Sequence, residues 1–160
     1  MGYFAYVTLS GEDKISIFSF DPKNGTLEIL GSNPVSGRPA PLALDPGQNY
    51  LYVGCRDEFG ISSFVIDQHT GQLSKIGVIE LDSDPCYLAT DRTGRFLLSA
   101  YYNAGKVAIH SINVDGVVDK RPVQSFTTNT GAHSIQTDLS NRFAFVPHIA
   151  DRGPNMILQF

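Results

Sequence analysis

Tryptophan is absent from these 160 residues, and only two cysteines and two methionines occur. Two thiols, Cys55 and Cys86, cannot build the multi-bridge framework that holds small secreted domains, and they do not fall at metal-ligand spacings. Both are therefore expected to be free. No run of 18 apolar residues is present, and the first residues, Met1-Gly2-Tyr3, lead into an alternating segment without the basic and apolar regions of a secretory leader. The expectation is a soluble, cytoplasmic protein with no membrane partner. Charge is also scarce: the net value is −4, and lysine and arginine are scattered without a basic stripe. Nucleic acid is not an expected partner, since phosphate backbones select clustered positive charge. Missing too are the G-x-S-x-G elbow, H-E-x-x-H and any cluster of metal ligands, so neither a covalent serine nor a metal or other cofactor is called for.

What is present is an apolar fraction of 42% against 18% charged residues, enough to pack a core. The chain also repeats itself. FAYV at 4 to 7, YLYV at 50 to 53, FLLS at 96 to 99 and FAFV at 143 to 146 are spaced by 46, 46 and 47 residues. The same step relates Asp21 to Asp67, Gly25 to Gly71, Pro39 to Pro85, and Asp45 to Asp91 to Asp138. A period in the mid-forties with β-branched and aromatic enrichment, and no sustained 3.6-residue periodicity, predicts four-stranded propeller blades. In the second repeat the strands read PLAL (41 to 44), YLYVG (50 to 54), ISSFVI (61 to 66) and LSKIGVIEL (73 to 81).

Turn chemistry fits this reading. Asn24-Gly25, Thr70-Gly71 and Asp115-Gly116 put glycine where a hairpin needs positive φ. Gly94 and Asn141 hold equivalent places in DRTGRF and DLSNRF, whereas DPGQNY shifts its glycine by one. The fold expected is all-β: a partial β-propeller of about three and a half four-stranded antiparallel blades out of seven. On this reading residues 1–160 form one incomplete domain that starts at strand B of blade one and stops inside strand C of blade four. Its exposed blade edges invite self-association.

The runs YLYVGCRDEFG (50 to 60), YYNAGKVAIHSI (101 to 112) and GAHSIQTDLSNRFAFVPH (131 to 148) resemble the lactonase-type seven-bladed propellers, a family that includes 6-phosphogluconolactonase and, as relatives, carboxymuconate-lactonising enzymes. The resemblance covers essentially the whole chain, while family members are about twice as long. It implies a lactone hydrolase acting on 6-phosphogluconolactone in the pentose phosphate route. The alternatives are a carboxymuconate-type cyclase and a non-catalytic propeller that presents its rim to a partner.

Residues that break the repeat are the candidates for chemistry. His133 replaces the small residues Ala40 and Cys86 at the start of strand A, near the channel mouth. Imidazole titrates near neutrality and suits a general base, and the resemblance places a catalytic histidine at this HS motif. A histidine that simply hydrogen-bonds beside the channel is the competing reading. Asn103, in the loop between strands B and C of blade three, offers an amide to a lactone oxygen or sugar hydroxyl, or is only a turn residue. Arg56, in the matching loop of blade two, suits a phosphate or carboxylate, or else pairs locally with Asp57 and Glu58. His148 and Arg152, with Asp151, add a polar rim on blade four, or a solvated loop. The resemblance further implies an arginine and an acidic residue from later blades, which have no counterpart before Phe160.

Overall fold

Each run of branched and aromatic residues ends at a turn that reverses the chain, so consecutive strands pair with one another. A computed structural model describes residues 2–149 and 155–160. Its strands form four antiparallel sheets, each taken in sequence order. Blade one holds β1 (Tyr3–Leu9), β2 (Lys14–Asp21) and β3 (Thr26–Pro34). Blade two holds β4 (Pro39–Leu44), β5 (Tyr50–Cys55), β6 (Gly60–Ile66) and β7 (Leu73–Glu80). In blade three these become β8 (Tyr87–Thr90), β9 (Phe96–Tyr101), β10 (Lys106–Ser111) and β11 (Gln124–Thr127). Blade four contributes β12 (Gln136–Thr137), β13 (Ala144–His148) and β14 (Met156–Gln159). No helix occurs among the described residues. The fold is thus an all-β partial propeller.

Side chains alternate across a strand, so a central strand between two blades must be apolar on both faces. This explains the near-continuous hydrophobicity of YLYVGC and FLLSAY. Leu51, Val53 and Cys55 pack with Ile15 and Ile17 of blade one, while Tyr52 on the opposite face packs with Leu88 and Leu97 of blade three. Leu98 and Ala100 then meet Ile135 and Val146 of blade four. The core therefore comprises three layers between blades and not one central mass.

The recurring aspartate closes the turn between the first two strands of a blade. Asp45, Asp91 and Asp138 each accept, through Oδ1, the backbone N–H of the aromatic residue five positions on: Tyr50 at 2.6 Å, Phe96 at 2.9 Å and Phe143 at 3.1 Å. Their second oxygens take the N–H of Gly47, Thr93 and Ser140. That aromatic residue in turn meets the next blade. Phe4 lies against Gly71, where an added Cβ would fall 2.6 Å from its ring, and Tyr50 lies closer still to Gly116 on the same measure. Both glycines also have positive φ.

The same turns add one detail to the sequence reading. Gly94 and Asn141 are left-handed, with φ of 70° and 59°, but the left-handed residue of DPGQNY is Gln48, at 58°. The glycine has shifted while the backbone register has not, so Gln48 bears the crowding between Cβ and carbonyl that glycine avoids. Replacing Gln48 with Gly is expected to stabilise the protein by about 1 kcal/mol, the left-handed penalty less the entropy glycine adds to the unfolded chain. A denaturant midpoint that falls in Q48G would contradict this account.

Candidate active site

The loops that join the second and third strands of a blade share one end of the molecule with the loops that connect one blade to the next. Backbone contacts fix this arrangement. Asp57 N–H donates to Gly37 O at 3.0 Å, Thr128 N–H to Gly105 O at 2.7 Å and Gly131 N–H to Tyr102 O at 2.9 Å. Side chains carried by these loops are therefore neighbours although they are far apart in sequence.

Arg56 and Asn103 meet at a carboxylate. Arg56 Nη2 donates to Asp84 Oδ2 at 3.1 Å, and Asn103 Nδ2 approaches the same oxygen at 3.4 Å. The local ion pair weighed for Arg56 is not the one that forms. Asp57 instead takes Arg38 Nη1 at 3.2 Å, and Glu58 accepts a 3.4 Å bond from Ser36 Oγ. Arg38, Arg56, Asp57, Phe59, Asp84 and Asn103 line an open groove of about 310 Å³. Its two guanidiniums and two carboxylates are charge-balanced, and it lies at the junction of blades two and three.

His133 is exposed at this end. Its backbone N–H donates to Pro147 O at 3.0 Å, and its ring stands edge-on to Tyr102, with centroids 6.0 Å apart and an 88° interplanar angle. Tyr102 adjoins Asn103 in the chain, so the imidazole sits beside the same loop. Next to it, Cys86 Sγ donates to Ala100 O and Ala132 O, both at 3.3 Å. Burial pushes the Cys86 thiol above its ordinary range, and burial does the same to Cys55.

His148 does not stand on the open rim where the sequence reading put it. It ends β13, and because Val146 two residues earlier faces the core, the alternation turns His148 inward as well. Only 5% of its surface is accessible. Its Nδ1 is 3.1 Å from Val146 O, and its Nε2 has no hydrogen-bond partner. Arg152 and Asp151 lie outside the described residues.

Sequence reasoning missed Asp84 and Arg38. Both occupy the last position before the proline that opens a blade, at Pro39 and Pro85, and neither recurs as one residue type that would mark it. A second cavity, of about 400 Å³, lies between the same two blades and is lined by Glu80, Asp82, Tyr101, Lys106, His110 and Lys120. Its charges are already matched, Lys106 to Asp82 and Lys120 to Glu80. Burial pushes the Tyr101 hydroxyl up to about 12 and lowers the basicity of His110. No group of three or more potential metal ligands exists among the described residues, and no helix is long and apolar enough to cross a membrane.

Antiparallel sheets set side by side, with a polar rim at one end and no helix among the described residues, define a partial β-propeller. Residues 1–154 match the family model "Lactonase, 7-bladed beta-propeller", and the chain belongs to that family. It is 34% identical over 147 residues to a 6-phosphogluconolactonase of Pectobacterium carotovorum, covering 92% of this chain and 43% of that protein. A 6-phosphogluconolactonase of Yersinia pestis is 37% identical over 142 residues, covering 89% and 42%. The chain thus spans less than half the length of the curated relatives it matches. Among solved structures, the periplasmic gluconolactonase of Pseudomonas aeruginosa superposes with a TM-score of 0.77 at 22% identity, over 92% of this chain and 47% of that one. A protein from Lactobacillus plantarum gives the same score at 17% identity, covering 92% and 48%.

Cys55 is buried and Cys86 half-buried, and thiols raised in this way should be sluggish nucleophiles. Cys55 and Cys86 are expected to react with a disulfide reagent such as DTNB at least about tenfold more slowly in the folded protein than in guanidinium. Immediate reaction of two equivalents at neutral pH would contradict the burial described.

Proposed function

We propose that this chain supplies the substrate-facing rim of a lactone hydrolase whose substrate is 6-phosphogluconolactone. The convergence of Arg56 and Asn103 on one carboxylate, beside the loop against which His133 stands, is the observation that carries this reading. In it, His133 removes a proton from water as the water oxygen attacks the lactone carbonyl carbon. The tetrahedral oxyanion then collapses, the ring C–O bond breaks, and the departing alkoxide takes the proton held by His133 to give the open hydroxy acid and restore the neutral imidazole. Arg56 holds the phosphate end with parallel N–H donors, and Asn103 engages a lactone oxygen or a sugar hydroxyl. His148, sealed in the strand, would reach substrate only after a rearrangement of β13, so it ranks behind the others.

Hydrolysis is favoured over carboxymuconate cyclisation because the curated relatives are named for hydrolysis. The two free thiols suit a reducing compartment, which supports a cytoplasmic protein. The test is release of acid from freshly generated 6-phosphogluconolactone above its spontaneous rate. His133→Ala is expected to lower kcat by about 10²- to 10⁴-fold, the range of a general base. An unchanged kcat/KM would remove His133 from that role.

The end blades support self-association. On blade one, Tyr3 pairs with Phe20, Phe20 with Leu27, and Phe18 with Ile29, which aligns exposed Tyr3, Phe20, Leu27 and Ile29 on one face. Blade four exposes Phe143, Phe145, Ile157 and Phe160. A contiguous apolar face of this kind seeks cover, and for these 160 residues by themselves a second copy would supply it. Sedimentation is expected to show a dimer or larger species, and a stable monomer at micromolar concentration would refute it.

A further inference from the structure

Blades two and three build the same rim contact with opposite polarity. Counting by the 46-residue step, Asp84 stands where Arg38 stands, and Asn103 where Asp57 stands. In blade two the connecting loop supplies the cation and the strand-joining loop the anion, Arg38 to Asp57 at 3.2 Å. In blade three the connecting loop supplies the anion and the strand-joining loop an amide, Asn103 to Asp84 at 3.4 Å. The reversal lets Asp84 also receive Arg56 from the preceding blade at 3.1 Å. An arginine at position 84, copying blade two, would face Arg56 with like charge. Ser83 Oγ adds a 3.4 Å bond to the other carboxylate oxygen, which steadies the group.

Burial differs between the two pairs as well. The Asp84 side chain is 18% exposed, whereas Arg38 and Asp57 are each more than half exposed. A shielded carboxylate holds its partners more firmly than a solvated one. Nothing about stability demands this arrangement, because Tyr52, Ile61, Leu88 and Leu97 already weld the two blades together.

We infer that Asp84 is a positioning residue: by holding Arg56 and Asn103 on a single carboxylate, it aims a guanidinium from one blade at an anionic substituent of the substrate and fixes an amide from the next blade beside it. The inference rests on the lactonase reading and extends it to the substrate's phosphate. Arg56 spends one N–H on Asp84, and a guanidinium has five, so the others remain for a bidentate contact with phosphate oxygens. Asp84 itself touches no reacting atom.

The experiment compares Asp84→Asn with the wild type in the protein at its full natural length, on 6-phosphogluconolactone and on the unphosphorylated lactone. The expected result is a rise of about 10- to 100-fold in KM for the phosphorylated lactone, the scale of a misaimed contact, with kcat changed far less. The loss for the unphosphorylated lactone should be smaller. In an Arg56→Ala background D84N should add little, because the two residues act as one unit. Asp84→Glu should restore part of the loss. Equal losses on both lactones, or a KM that falls in D84N because a competing negative charge has gone, would overturn the inference. Unchanged thermal melting in D84N separates misaiming from unfolding. Inorganic phosphate titrated by NMR reads the same site without turnover. Weaker phosphate binding in D84N supports the inference, and equal binding, tighter binding or no saturable binding by the wild type overturns it. If the wild type binds phosphate but hydrolyses neither lactone, the lactonase reading fails alone.

Discussion

Period-two alternation in strands buried on both faces is the constraint on which the rest depends. A strand such as β5 sends Leu51 and Val53 into one interblade layer and Tyr52 into the next, so neither face is free to carry function. Polar chemistry is pushed to the ends of the sheets, where loops alone are unconstrained. The two ends then divide the work. At one, the repeated aspartates spend both carboxylate oxygens on backbone N–H groups and lock the turn. At the other, Arg38, Arg56, Asp84 and Asn103 bond through side chains whose partners change from blade to blade.

That division explains how much of the molecule could be read in advance. The repeat, the strand positions of blade two and the hairpin glycines were legible because they depend on local backbone geometry and alternation. Gln48 was not, since its left-handed backbone is imposed by the turn that Asp45 closes and runs against its residue type. His148 was misread for a related reason: a polar residue near a loop sequence suggested a rim, while the strand continued two residues further and its alternation buried the ring. Asp84 escaped notice because its partners Arg56 and Asn103 lie 28 and 19 residues away in the chain. Arg56 and Asn103 were selected for breaking the repeat, but what joins them is non-local.

His133 shows the complementary case. Its departure from Ala40 and Cys86 marks it in the sequence, and the structure leaves its imidazole exposed, with Tyr102 edge-on as its only ring contact among the described residues. A group so lightly held at a rim so heavily bonded has freedom to approach a ligand that the guanidinium and amide beside it lack.

The three-layer core has a further consequence for how the molecule comes apart. With each hydrophobic layer shared only by adjacent blades, stability behaves as a chain of nearest-neighbour couplings and not as one collective term. Loss of one layer separates only the two blades that share it and leaves the other layers in place. The junction that carries Arg56, Asp84 and Asn103 therefore lasts as long as one layer does, the one built from Tyr52, Ile61, Leu88 and Leu97.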